Sequence, residues 1–90
     1  MTDPMEALKA RYRARCAIDL AALETLLNDD VRCGEALRRI AHSLHGSGGT
    51  FGFPDISDAA ARVEEALIAD GATTDAELET LAATLREAIS

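Results

Sequence analysis

Ala41-His42-Ser43-Leu44-His45-Gly46-Ser47-Gly48-Gly49-Thr50-Phe51-Gly52 is the stretch that decides how this chain is read. At about 100° per residue, Leu37, Ile40, Ala41, Leu44, Gly48 and Phe51 fall on one face, at spacings of three and four. That is the stripe of a helix packed on a core. His42 falls nearly opposite. Arg38, Arg39, His45 and Gly46 lie one turn from it, and Gly49 two turns along. A glycine inside a helix costs about 1 kcal/mol relative to alanine, so Gly46, Gly48 and Gly49 together cost about 3, against a typical domain stability of about 5–15. Something should offset that cost. A helix surface left bare around an exposed imidazole lets another protein's active site approach His42. Gly48, on the core face, lets a neighbouring helix come close instead.

Working outward, the apolar phase predicts that this helix runs to about Phe51, with Gly52 as its C-terminal stop. Asn28-Asp29-Asp30 reads as a turn, and either aspartate can cap the helix that follows. Upstream, Asp3-Pro4-Met5-Glu6 is a helix start, with an N-cap, a proline at the first position and a glutamate three residues after the cap. Met5, Leu8, Tyr12, Cys16, Leu20, Leu23 and Leu27 follow at helical spacing. The pattern is compatible with one helix to about Asn28 or with a break near Cys16–Ala17. Downstream, Pro54 opens a third helix with Ile56, Ala59, Ala60, Val63 and Leu67 inward, and Gly71 ends it. Thr74-Asp75-Ala76-Glu77 is a capping box that starts a fourth helix, with Leu78, Leu81, Leu85 and Ile89 inward. Amphipathic helices joined by short connections predict an all-α fold, an antiparallel up-and-down four-helix bundle, with residues 1–90 as a single domain.

The 90 residues carry a formal charge of −7, unevenly placed. Residues 1–40 balance seven basic against seven acidic side chains, whereas residues 41–90 set Arg62 and Arg86 against nine acids. Such a surface disfavours nucleic acid and anionic membranes. Arg38 and Arg39 could still form a local positive patch beside His42. Eight arginines against one lysine, with many alanines, suggest a GC-rich bacterial source. Cys16 and Cys33 make no disulfide framework, and Cys16 lies on the apolar stripe of the first helix. No leader and no run of about 18 apolar residues is visible, so the expected compartment is the cytoplasm.

Neutral imidazole is already a nucleophile, and free histidine, titrating near 6.5, is mostly neutral at pH 7. It can attack phosphorus without a general base, given in-line access and charge stabilisation. No phosphate-cradling loop, nucleotide motif or acidic metal triad accompanies it. His42 and His45 form an H-x-x-H pair, but no Cys, Asp or Glu nearby in sequence completes a zinc set, so no metal and no cofactor is expected. The arginines Arg11, Arg13 and Arg15 read as a solvated helix flank, and Glu64, Glu65, Glu77, Glu79 and Glu87 as solvent-facing acids.

His42-Ser43-Leu44-His45-Gly46 resembles the H-x-L-K-G hallmark of the histidine phosphotransfer (HPt) domains of bacterial multistep phosphorelays. The resemblance extends upstream through Leu37-Arg38-Arg39-Ile40-Ala41. Downstream it runs through Phe51-Gly52-Phe53-Pro54 into the helix ending near Glu64-Glu65-Ala66-Leu67, covering roughly residues 35–68. His45 stands where the family has lysine. The resemblance implies that His42 accepts a phosphoryl group and passes it to or from the aspartate of a response-regulator receiver domain. That partner supplies the Asp, Mg²⁺ and a lysine, and a histidine kinase is a second candidate partner. His45, Gly46, Gly49, Arg38 and Arg39 are the expected contacts to the phosphoryl group or the partner. The chain would act as a monomeric relay intermediate, not as a kinase. The alternative is a helical adaptor that binds a signalling partner without being phosphorylated.

Overall fold

A computed structural model describes residues 3–90. Four helices follow in order, α1 (Pro4–Asn28), α2 (Glu35–Gly48), α3 (Pro54–Asp70) and α4 (Asp75–Ile89). They form the expected up-and-down bundle: α2 packs on α3, α3 on α4 and α4 on α1, while α1 and α2 barely touch. The core draws on every helix. It holds Tyr12, Cys16, Leu20 and Leu23 from α1, and Leu37, Ala41 and Leu44 from α2. Ile56, Ala59, Ala60 and Val63 come from α3, and Leu78, Leu81, Ala82 and Leu85 from α4. Leu27, Leu67 and Ile89, also expected inward, are partly buried against it.

α1 is continuous, without a break at Cys16. Its 25 residues rise about 37 Å, against about 21 Å for the 14 of α2, so its first turns overhang the bundle. Met5 and Leu8, expected inward, are therefore 48% and 42% exposed. Asp3 caps α1 as expected, its Oδ1 accepting from the Met5 N–H at 3.0 Å.

The second helix does not start where expected. Asp30 takes the left-handed conformation (φ 58°) and closes α1 instead of opening α2. The Val31 N–H reaches the Leu26 carbonyl at 2.9 Å and the Asp30 N–H reaches Leu27 at 3.2 Å, the paired bonds of a Schellman closure. The N-cap of α2 is Gly34, at φ 106°, ψ 169°, with no side-chain capping bond. Only glycine adopts that region at low cost. The intervening residues are committed elsewhere: the Arg32 carbonyl accepts from the Thr73 N–H at 2.8 Å, and its Nε donates to Asp75 Oδ1 at 2.6 Å. This ties the α1–α2 and α3–α4 connections together at one end of the bundle.

At the other end, α2 stops at Gly48, earlier than Phe51, with Gly49 still near helical geometry (φ −65°, ψ −39°). One further turn follows, in which the Phe51 N–H bonds to the Ser47 carbonyl at 3.1 Å. Gly52 (φ 85°) then provides the expected stop, with Phe53 N–H to Gly48 at 2.7 Å and Gly52 N–H to Gly49 at 3.2 Å. The capping box of α4 is present in full: Thr74 Oγ1 accepts from the Glu77 N–H at 3.2 Å, and Glu77 Oε1 accepts from the Thr74 N–H at 2.9 Å.

Candidate functional site

The site is built on the α2–α3 hairpin, and Gly48 sets how tightly that hairpin closes. A Cβ at Gly48 would lie 2.7 Å from the Ser57 nitrogen and 2.9 Å from the Phe53 carbonyl oxygen. The first turn of α3 thus rests directly on the α2 backbone. Ser57 Oγ locks the contact by donating to the His45 carbonyl at 2.7 Å. Counted back from this turn, the antiparallel helices bring Glu64 opposite His42 and His45.

Glu64 is the residue that sequence reasoning misplaced. Expected in solvent, its side chain is only 12% exposed, and its two oxygens engage two imidazoles. Oε1 accepts from His45 Nδ1 at 2.8 Å, and Oε2 accepts from His42 Nδ1. The His45 bond, followed by that of His42, holds the Glu64 carboxyl below its usual range, against the opposing effect of burial. An ionised carboxylate only accepts, so each imidazole carries its proton on Nδ1. The nitrogen left for chemistry on each ring is Nε2. His42 remains 78% exposed at its side chain and His45 47%.

The remaining expected site residues share this face. Gly46 and Gly49 are exposed, and a Cβ at either would meet nothing within 4 Å. Arg38 and Arg39 are exposed and, with Glu35 and His42, line a shallow hollow of about 370 Å³. Neither arginine forms an ion pair among the described residues. Among those residues, no group of three His, Cys, Asp or Glu side chains is arranged to hold a metal ion.

The flank of α2 facing α1 is held by an aromatic cluster. Ser47 Oγ donates to the Ser43 carbonyl at 2.8 Å, which leaves its lone pairs to accept from the Tyr12 hydroxyl, also at 2.8 Å. Tyr12 stacks on Phe51 and Phe53 at centroid distances of 4.8 and 5.5 Å. Arg13, expected in solvent with its neighbours, lies over the Phe53 ring at 5.5 Å and donates to the Ala88 carbonyl at 3.2 Å. Its position closes this end of the bundle.

The bundle, with an exposed histidine on its second helix, agrees with a comparison against known families. The profile described as Hpt domain matches residues 7–90. This chain belongs to the Hpt domain family. The match takes in all four helices, well beyond the segment around His42. Searches of curated proteins and of solved structures returned no match. Hpt domains are phosphotransfer intermediates of two-component systems, not kinases, and they work with response regulators and kinases. Among the described residues, no helix of this Hpt domain is long and apolar enough to cross a membrane.

Proposed function

We propose that His42 is the phosphoacceptor of this Hpt domain, relaying a phosphoryl group to or from the aspartate of a receiver domain. One observation carries the reading: the most exposed imidazole of the site donates its Nδ1–H to the Glu64 carboxylate, which leaves Nε2 as the nucleophile. In the forward step, the Nε2 lone pair attacks the phosphorus of an aspartyl phosphate in line. The N–P bond forms, the P–O bond breaks, and the aspartate leaves as a carboxylate. The receiver brings the Asp, Mg²⁺ and lysine. The histidine ring becomes cationic on attack, and the Glu64 carboxylate at Nδ1 faces that charge, the role an aspartate plays behind the histidine of a hydrolytic triad. Arg38 and Arg39 lie one turn away, placed to meet the phosphoryl oxygens or the acidic receiver site. Gly46 leaves room for both proteins' backbones. The domain would act as a monomer in the cytoplasm.

The test is to incubate the protein with a receiver domain charged by acetyl phosphate and Mg²⁺. The expected product is acid-labile, base-stable phosphate, mapped to His42 by tandem mass spectrometry. Receivers that bind the bundle tightly yet leave no phosphohistidine would overturn the relay and leave the phosphorylation-independent adaptor.

A further inference from the structure

Two histidines of this site are equipped alike, although the relay described above uses one. Each donates its Nδ1 proton to Glu64, His42 to one carboxylate oxygen and His45 to the other. Each therefore presents Nε2 as its unprotonated nitrogen when neutral. Each also has a glycine four residues on: Gly46 follows His42, and Gly49 follows His45. Helical Cα–Cβ bonds tilt toward the N-terminus, so a side chain at the fourth position would lie over the residue one turn before it. Gly46 bares His42 in this way, and Gly49 bares His45. Neither glycine has any heavy atom within 4 Å of where a Cβ would stand, so packing asks for neither. Gly48, between them, is the one that packing requires.

We propose that His45 is a second phosphoacceptor on the same helix face. The inference rests on the phosphorelay reading of the site. His45 Nε2 attacks an aspartyl phosphate, the N–P bond forms, the P–O bond breaks and the aspartate carboxylate leaves. The Nδ1 proton stays on the bond to Glu64, so no base has to remove it. The backbone is held for this task, since Ser57 Oγ clamps the His45 carbonyl at 2.7 Å. His45 is the more covered of the pair, at 47% against 78%, and is the slower acceptor.

The experiment charges a receiver domain with acetyl phosphate and offers it to the wild type, His42→Gln, His45→Gln and Glu64→Ala, mapping phosphate by tandem mass spectrometry at alkaline pH. In the wild type, phosphate is expected mainly on His42 with a minor fraction on His45. His42→Gln should still be labelled, now only on His45, roughly tenfold more slowly, a barrier difference of about 1.4 kcal/mol. Glu64→Ala should slow labelling at both positions, because one carboxylate sets both tautomers. If the wild type is labelled on His42 alone and His42→Gln takes up nothing, the second acceptor is overturned while the relay stands. A slowing confined to His42 in Glu64→Ala would equally overturn the shared arrangement. A wild type that no receiver labels overturns the relay itself and this inference with it.

Discussion

Gly46 and Gly48 stand two residues apart on one helix and do opposite things. At Gly48 a Cβ would strike the backbone of α3, at 2.7 and 2.9 Å; at Gly46 it would meet nothing within 4 Å. Both glycines weaken the helix by the same intrinsic amount, about 1 kcal/mol each. At Gly48 that loss is offset inside the molecule, because the close approach of α3 places Glu64 against the two imidazoles. At Gly46 nothing in the fold offsets it. That absence of a packing reason supports the proposal that an outside partner docks there.

The largest effect should follow from filling Gly48. Alanine there improves helix propensity, yet overpacking against backbone atoms that cannot yield typically costs about 1–3 kcal/mol. For a chain of this size, each kcal/mol shifts the melting temperature by about 4–8 °C. Thermal melts of Gly48→Ala should therefore fall by several degrees, and an unchanged melt would remove the contrast with Gly46.

Gly46→Leu should invert that outcome. Its stability should hold or rise, since leucine replaces the poorer helix former and its Cβ would have no heavy atom within 4 Å. Phosphoryl transfer from a charged receiver should fall about tenfold or more, equivalent to about 1.4 kcal/mol of barrier. Transfer at the wild-type rate would show that the open space over His42 is not used.

Glu64→Gln should sharpen the account of what the close packing achieves. The Glu64 carboxyl is held below its ordinary value of 4.5 by the His45 and His42 hydrogen bonds. A depressed folded-state value means the contribution is fully present above the unfolded value and is lost as pH falls through the folded one. Urea unfolding should find the wild type more stable than Glu64→Gln at pH 7. The gap should narrow below about pH 4.5, as the wild-type carboxyl protonates. A gap independent of pH would mean that the carboxylate charge contributes nothing to the pairing.

The smallest effect on stability should come from His42→Gln. The side chain is 78% exposed and leaves no cavity, so the change should stay within about 0.5 kcal/mol while position 42 loses its phosphate. A large loss of stability would make His42 a structural residue.

Much of this architecture was legible before any coordinates, and the legible parts share a cause. The Asp3 cap, the Thr74–Glu77 box, the Gly52 stop and the core stripes all depend on residues within one or two turns of each other. Local hydrogen bonding and the helical repeat dictate them. The exposed face of α2, with Arg38, Arg39, His42, His45, Gly46 and Gly49, follows from the same repeat. The misreadings have the opposite character. Asp29 and Asp30 looked like caps for α2, but the Arg32 connection to Thr73 and Asp75 pulls the chain away, and Asp30 closes α1. Met5 and Leu8 continue the stripe but overhang a shorter partner. Arg13 finds Phe53 and Ala88, which lie far along the chain.

Sequence alone therefore determined four helices, their inward faces and an outward imidazole beside bare glycines, because these are properties of single helices and their ends. Only the tertiary structure decided what stands behind that imidazole. The helical repeat puts Glu64 at the margin of the inward stripe, one turn from Ala60 and Leu67, and Glu65 away from it, but it does not say what Glu64 meets. One residue of register in the α2–α3 packing, set by the fit of Gly48 against Ser57, brings Glu64 to both histidines. Two helices' relative placement depends on side-chain volumes from both, and no single stretch of sequence holds that information.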